Sequence, residues 1–267
     1  MGIPDSIVTL ISLNVPPGTF HSDKQLSFAA DGLVSSHFFR GQHDPIFRRA
    51  LQQTRQQVCH SLYHEWRLHL AISLLEQLAH SCLKKSQRFN YVECGVGEGH
   101  TLLLAYNYFT LLLDTSYHEL ATHFLSGSFL LIDTFAGIDP SLVVEGDTKN
   151  YKTEAYFGAT LDVIKERFSV LNDLSIIPRP IPDALFEIHT AFLSPSFLHI
   201  DMNHDVPERA ALEFFLPRMR SGCILLDDYS ANAHTRQRLA IDDLCQNLRH
   251  PLPINLPTGQ AIIYLNS

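Results

Sequence analysis

The sequence predicts an α/β protein: a doubly wound, mostly parallel sheet with an antiparallel terminal strand, preceded by an irregular and helical N-terminal extension. Three observations lead there. After residue 88, short apolar runs alternate with longer helical patterns, several of the runs end in Asp, and the first opens into a glycine-rich turn. Strands that are apolar nearly throughout need cover on both faces, and right-handed strand–helix–strand crossovers lay them parallel.

Residues 1–85 form the extension and 86–267 the α/β domain. The opening MGIPDSIVTLISL has a short apolar run with no basic region before it, unlike a secretory signal. Gly2 and Ser6 match the bare N-myristoylation pattern, which is short and common. No uninterrupted apolar segment reaches the ~20 residues that crossing a bilayer requires. Residues 15–50 mix Pro, Gly, Asp, His and Phe without a period. Leu62, Trp66, Leu70, Leu74 and Leu78 then recur at four-residue steps, which predicts a helix with one face turned to a core. His60 and His64 share the spacing of a helical metal pair, but Ser61 follows His60, so the His-Glu-x-x-His motif is absent and a solvated helix flank is the simpler reading.

In the second part, NYVECG, SFLLIDTF, LSIIPRP, SFLHIDM and GCILLDD predict strands, with helices at 100–113, 155–170, 207–219 and 235–248. The closing LPINLPTGQAIIYL predicts two nearby strands with Thr258-Gly259 in the turn, the last strand antiparallel.

Composition narrows the function classes. The chain has 267 residues, 45% of them hydrophobic and 18% charged, which is ordinary for one large or two small globular domains. With 20 Lys and Arg against 28 Asp and Glu, the net charge of −8 argues against broad binding to nucleic acid phosphates. Five Cys at 59, 82, 94, 223 and 245 include no Cys-x-x-Cys pair, as expected for reduced thiols in a cytoplasmic protein.

A doubly wound sheet binds its ligand beyond the carboxyl ends of the strands. Asp133, Asp201, Asp227 and Asp228 all end strands there. Each alone fits a helix cap or turn residue, but several at one edge are harder to explain as caps. Carboxylates that converge need a cation, basic side chains or protonation. Neither of the strand ends at 201 and 227 contains Lys or Arg, although Arg209 or Arg236 could reach from elsewhere. All-oxygen donors suit a hard ion such as Mg²⁺, so Asp201, Asp227 and Asp228 are candidate metal ligands.

The segment YVECGVGEG places Gly95, Gly97 and Gly99 before His100 and Thr101, which open a helix. A dinucleotide fingerprint is spaced G-x-G-x-x-G, whereas this one is G-x-G-x-G. Glu93 would repel a pyrophosphate but could pair with an ammonium group. A cationic, amino-acid-bearing cofactor therefore suits the loop better than NAD.

Residues 93–99, Glu-Cys-Gly-Val-Gly-Glu-Gly, resemble motif I of the class I S-adenosylmethionine-dependent methyltransferases, whose fold is Rossmann-like. In that family the loop wraps the methionine moiety, and the acid matched by Asp133 bonds the ribose. The interval between Glu93 and Asp133 is longer than the family's, which implies an extended helix or an insertion around 104–127. The segments Phe197–Asn203, Pro207–Glu213 and Ser221–Tyr229, with the closing Leu256–Ala261, are similar to the macrocin O-methyltransferase (TylF-like) branch. Those enzymes methylate sugar hydroxyls of natural products with a divalent metal. The resemblance covers about residues 88–267.

It implies S-adenosylmethionine held by Glu93, Gly95, Gly97, Gly99, Thr101 and Asp133. It also implies Mg²⁺ or another divalent cation on Asp201, Asp227 and Asp228, and as acceptor a hydroxyl of a small polyhydroxylated molecule, a sugar or natural product. The branch often carries an acidic residue two positions after the first metal Asp, where this chain has Asn203. His204, Asp205 and His234 are then the candidate bases. The extension would cover the site or build a homodimer interface. The competing expectation, supported by Asn203, is a non-catalytic binding or assembly protein that keeps the methyltransferase fold. A dehydrogenase is disfavoured by the glycine spacing and Glu93.

Overall fold

The structure, a computed structural model, describes residues 28–30, 33–35, 39–58, 64–142, 158–231 and 235–265. Strands β1 (Phe28–Ala30) and β2 (Leu33–Ser35) pair antiparallel as a small separate sheet. Helix α1 (Pro45–Arg55) follows, in a stretch where the sequence shows no period. Its signal is an Asp-Pro start: Asp44 Oδ1 accepts from the Ile46 and Phe47 amides at 2.9 and 3.0 Å, and Pro45 occupies the first helical position.

Helix α2 (Glu65–Lys84) is the one expected from the leucine steps, but its buried face is different. A four-residue step turns ~40° beyond a full helical turn, so residues spaced by four drift around the cylinder. The buried residues alternate steps of three and four: Leu68, Ala71, Ile72, Leu75, Leu78, Ala79 and Cys82, together with Leu74. Trp66 and Leu70 lie at the margins, Trp66 stacking on Phe39 with ring centroids 4.5 Å apart. Leu62, His60 and Cys59 lie outside the described residues.

The remaining elements are β3 (Asn90–Cys94), α3 (His100–Leu112), α4 (His118–Leu125), β4 (Ser128–Ile132), α5 (Leu161–Arg167), β5 (Leu174–Ile177), β6 (Phe197–Ile200), α6 (Asp205–Phe215), β7 (Gly222–Leu226), α7 (Thr235–Asn247), β8 (Ile254–Asn255) and β9 (Ala261–Leu265). Helix α4 accounts for the long interval between Glu93 and Asp133, its Phe124 stacked on Phe109 of α3 with centroids 3.9 Å apart. Helix α5 starts later than the pattern suggested because Thr160 is extended and caps it, Oγ1 accepting from the Val163 amide. Residues 155–157 of that expected helix lie outside the described residues.

The seven-stranded sheet has the order β5-β4-β3-β6-β7-β9-β8, parallel except for β9. The last strand is antiparallel as expected, but it is inserted between β7 and β8, so the two-residue β8 forms that edge. One apolar cluster packs α1, α2, α3 and α4 on one face of the sheet, and a second packs α6 and α7 on the other. Strand residues alternate between the two, Tyr91 pointing to the first and Val92 to the second. Cys82, Cys94, Cys223 and Cys245 are free and buried. Among the described residues no helix is long and apolar enough to cross a membrane.

Candidate active site

The chain leaves β3 toward β4 on one side and reaches β6 on the other, so the topological switch point lies between β3 and β6. A cavity of about 370 Å³ opens there, walled by the glycine loop after β3 and by residues that follow β4, β6 and β7.

The glycines play three different roles. Gly95 has φ +87°, and a Cβ on it would stand 1.7 Å from the Asp201 carbonyl oxygen, so the turn slides directly across the end of β6. Gly97 has φ +54°, lines the cavity and would meet no atom within 4 Å. Gly99 faces away from the cavity, and a Cβ there would strike the Phe168 ring at 2.7 Å, so it lets α3 pack. Thr101, in the first turn of α3, lines the cavity.

Asp133 holds the loop itself. Its Oδ2 accepts from the Val96 and Gly97 amides at 2.6 and 3.0 Å, and its Oδ1 from the Phe135 amide at 2.7 Å. Such charge-assisted bonds fix the loop's shape before any ligand arrives.

Glu93 also has inward partners. It faces His199 in the β3–β6 register, and Tyr91 shares its strand face. Its oxygens accept from Tyr91 OH and from His199 Nδ1, each at 2.9 Å. His199 Nε2 lies 3.7 Å from Asp227 Oδ1, completing a buried Tyr91–Glu93–His199–Asp227 row. Burial alone would lower the His199 pKa, but the Asp227 and Glu93 carboxylates on either side outweigh it and hold the ring well above its usual range.

Beyond β7, Arg67 of α2 meets the acidic strand end. Its Nη1 donates to Asp227 Oδ2 at 2.9 Å and to Asp228 Oδ1 at 3.0 Å, and its Nε to the Thr258 carbonyl at 3.1 Å. Gln260 Nε2 donates to Asp227 Oδ1 at 2.6 Å. Burial works against the charge on Asp227, but His199, Arg67 and Gln260 overcome it and hold the carboxyl well below the usual range.

Asp201 lines the cavity and accepts from Asn203 Nδ2 at 3.2 Å, with Asn203 in a left-handed conformation at φ +57°. Burial, then the charges of Asp227 and Asp228, push the Asp201 carboxyl well above its usual range. Glu208, buried in α6, is pushed up in the same way by burial, then by Asp228 and Asp201, while its Oε1 accepts from the Met202 amide at 3.2 Å.

The candidate bases sit less centrally. His204 is buried at the cavity wall and caps α6, its Nδ1 accepting from the Val206 amide at 3.2 Å. That role places the neutral ring's proton on Nε2 and leaves that nitrogen a donor. Asp205 pairs with Arg236 at 2.8 Å and does not line the cavity. Arg209 bonds Asp243 and the Ala240 carbonyl, and Arg236 pairs with Asp205. His234 lies outside the described residues. Sequence reasoning missed Arg67, His199, Gln260 and Glu208. His199, Glu208 and Gln260 stood in segments already singled out, without a role assigned to them, whereas Arg67 stood outside the α/β part, on the helix before it.

The loop fits the cofactor that the resemblance implies: the backbone at Gly97 is open to a ligand, and the start of α3 presents N–H groups. The acidic edge does not fit a divalent ion as arranged. The oxygens of Asp227 and Asp228 face a guanidinium and an amide, and no group of three His, Cys, Asp or Glu able to hold a metal occurs among the described residues.

No protein-family model matches the chain, and no curated protein matches it. Solved structures do. The O-methyltransferase NovP aligns with a TM-score of 0.54 at 14% identity, over 73% of this chain and 79% of its own. CalS11, a calicheamicin methyltransferase, also gives 0.54 at 14% identity, over 84% of this chain and 94% of its own. The likeness is one of fold: this chain has the Rossmann-like α/β architecture that those two enzymes use.

Proposed function

We propose that this cleft transfers a methyl group from S-adenosylmethionine to a hydroxyl of a small polyhydroxylated acceptor, a sugar or natural product. One observation carries the reading: at the switch point of the sheet, a glycine loop open to a ligand faces a carboxylate, Asp201, whose charge is poorly compensated. The fold shared with NovP and CalS11 supports it.

Gly95, Gly97 and Thr101 bind the cofactor, and Asp133 keeps the loop in shape for it. When bound, S-adenosylmethionine would supply an electrophilic methyl group to the acceptor oxygen, the carbon–sulfur bond breaking as the carbon–oxygen bond forms and the thioether leaving. An alcohol is a weak nucleophile at neutral pH, so its proton must be taken as the new bond forms. Asp201 takes it. A carboxylate whose ionised form is disfavoured is a stronger base than an ordinary one, and Asn203 aims this one. Asp227 is hydrogen-bonded by Arg67 and Gln260, with His199 Nε2 3.7 Å away, and forms a fixed wall. The proton then passes from Asp201 to solvent as the methyl ether departs.

Calorimetry with S-adenosylhomocysteine, followed by a screen of hydroxyl acceptors with methyl-labelled cofactor, tests this. Binding and a labelled ether are expected. Tight NADH binding without S-adenosylhomocysteine binding would overturn it, and cofactor binding with no turnover on any acceptor would favour the assembly protein.

A further inference from the structure

The carboxylates at the ends of β6 and β7 raise a question of charge that their own strands answer only in part: neither strand end carries Lys or Arg, and His199 of β6 approaches Asp227 from one side at 3.7 Å. We propose that the Arg67 guanidinium is the resident counter-cation of Asp227 and Asp228, occupying the place a divalent ion would take, so that the site excludes metal and works without it.

The contact is built from several sides. One nitrogen, Nη1, bridges carboxylates of two successive residues at 2.9 and 3.0 Å, a position between donors that a bound cation would require. All three side chains are largely withdrawn from water, 14% exposed for Arg67, 16% for Asp227 and 12% for Asp228. The oxygen of Asp227 that Arg67 does not use accepts from Gln260. The closing loop is shaped around the guanidinium: Nε donates to the Thr258 carbonyl, and a Cβ on Gly259 would lie 3.1 Å from Nη2. Arg67 projects from α2, whose buried face is part of the core.

A divalent ion on Asp227 and Asp228 would therefore have to displace a hydrogen-bonded guanidinium or sit against it as a like charge. A monovalent planar cation offsets one of the two charges with directional bonds and no open coordination position, and His199 faces Asp227 from the other side. This places a functional group in the N-terminal extension, since α2 supplies the charge on which the strand ends depend. The catalytic consequence rests on the reading of the cleft as a methyl-transfer site. The exclusion of metal does not.

The test uses full-length protein with Mn²⁺ as the probe, followed by electron paramagnetic resonance and calorimetry without acceptor or cofactor. Wild type is expected to bind no Mn²⁺ up to 1 mM (~1 mM is the weak end of measurable affinity). Arg67→Met is expected to gain a Mn²⁺ site at least about tenfold tighter and to melt lower without the ion than with it. Arg67→Lys keeps a cation and is expected to stay metal-blind, which decides the matter should Arg67→Met fail to fold. Stoichiometric micromolar Mn²⁺ binding by wild type, abolished in Asp227→Asn, would overturn the proposal, as would a folded Arg67→Met that binds no ion. Turnover in EDTA is recorded separately, so a failure of methyl transfer is distinguishable from a failure of this charge assignment.

Discussion

Gly97→Ala separates the conformational role of the glycine loop from its ligand-binding role. Gly97 sits at φ +54°, where an L-residue costs about 1–2 kcal/mol, and its added methyl would meet no protein atom within 4 Å. For a chain of this size each kcal/mol lowers the melting temperature by roughly 2–4 °C, so a fall of about 2–8 °C is expected, with the fold intact. The methyl would project beside the cavity, where the proposed cofactor lies against backbone. Affinity for S-adenosylhomocysteine should fall at least tenfold, about 1.4 kcal/mol. Gly95→Ala is the control with the opposite balance. Its Cβ would overlap the Asp201 carbonyl at 1.7 Å, and backbone on both β3 and β6 would have to part, so insoluble or unfolded protein is expected. Circular dichroism melts and calorimetry on both variants read the two effects. A folded Gly97→Ala that binds S-adenosylhomocysteine within twofold of wild type would refute the argument that the ligand presses on this loop, and a normally stable Gly95→Ala would refute the close approach to β6.

Three further outcomes are expected. Asp133→Asn keeps the shape but removes the charge from three backbone bonds, which should cost about 2–3 kcal/mol in urea denaturation and weaken S-adenosylhomocysteine binding; unchanged values would show that the loop holds itself. Asp201→Asn should lower kcat by about 10²–10⁴ with little change in cofactor affinity, and an active variant would remove Asp201 as the proton acceptor. Glu208 has its pKa raised in the folded state, so it favours folding when protonated and loses that contribution as pH rises through its raised folded value. Glu208→Gln should therefore stabilise the protein at pH 8 more than at pH 4; equal urea midpoint shifts at the two pH values would contradict the burial of its charge.

Much of the α/β half was readable because its signals are local. An apolar run of five residues ending in Asp, as in β4 with Asp133 or β7 with Asp227, needs no knowledge of its neighbours to be recognised as a strand reaching a ligand edge. The four-residue leucine steps of α2 identified a helix but misplaced its face, because the face depends on where the sheet lies. The insertion of β9 between β7 and β8 was likewise beyond local pattern, since alternation fixes which side a residue faces and not which strand lies beside it.

At the site, residue type and order by themselves determined the glycine loop, the acidic strand ends and the switch-point fold. Tertiary structure decided what those groups meet. Asp133 turned to the loop amides, Glu93 to Tyr91 and His199, and Asp227 and Asp228 to an arginine, Asp227 at a separation of 160 residues. The physical reason is that a carboxylate announces only a need for compensation. Which cation answers it depends on distances of about 3 Å, and those exist only once α2 has packed against the sheet.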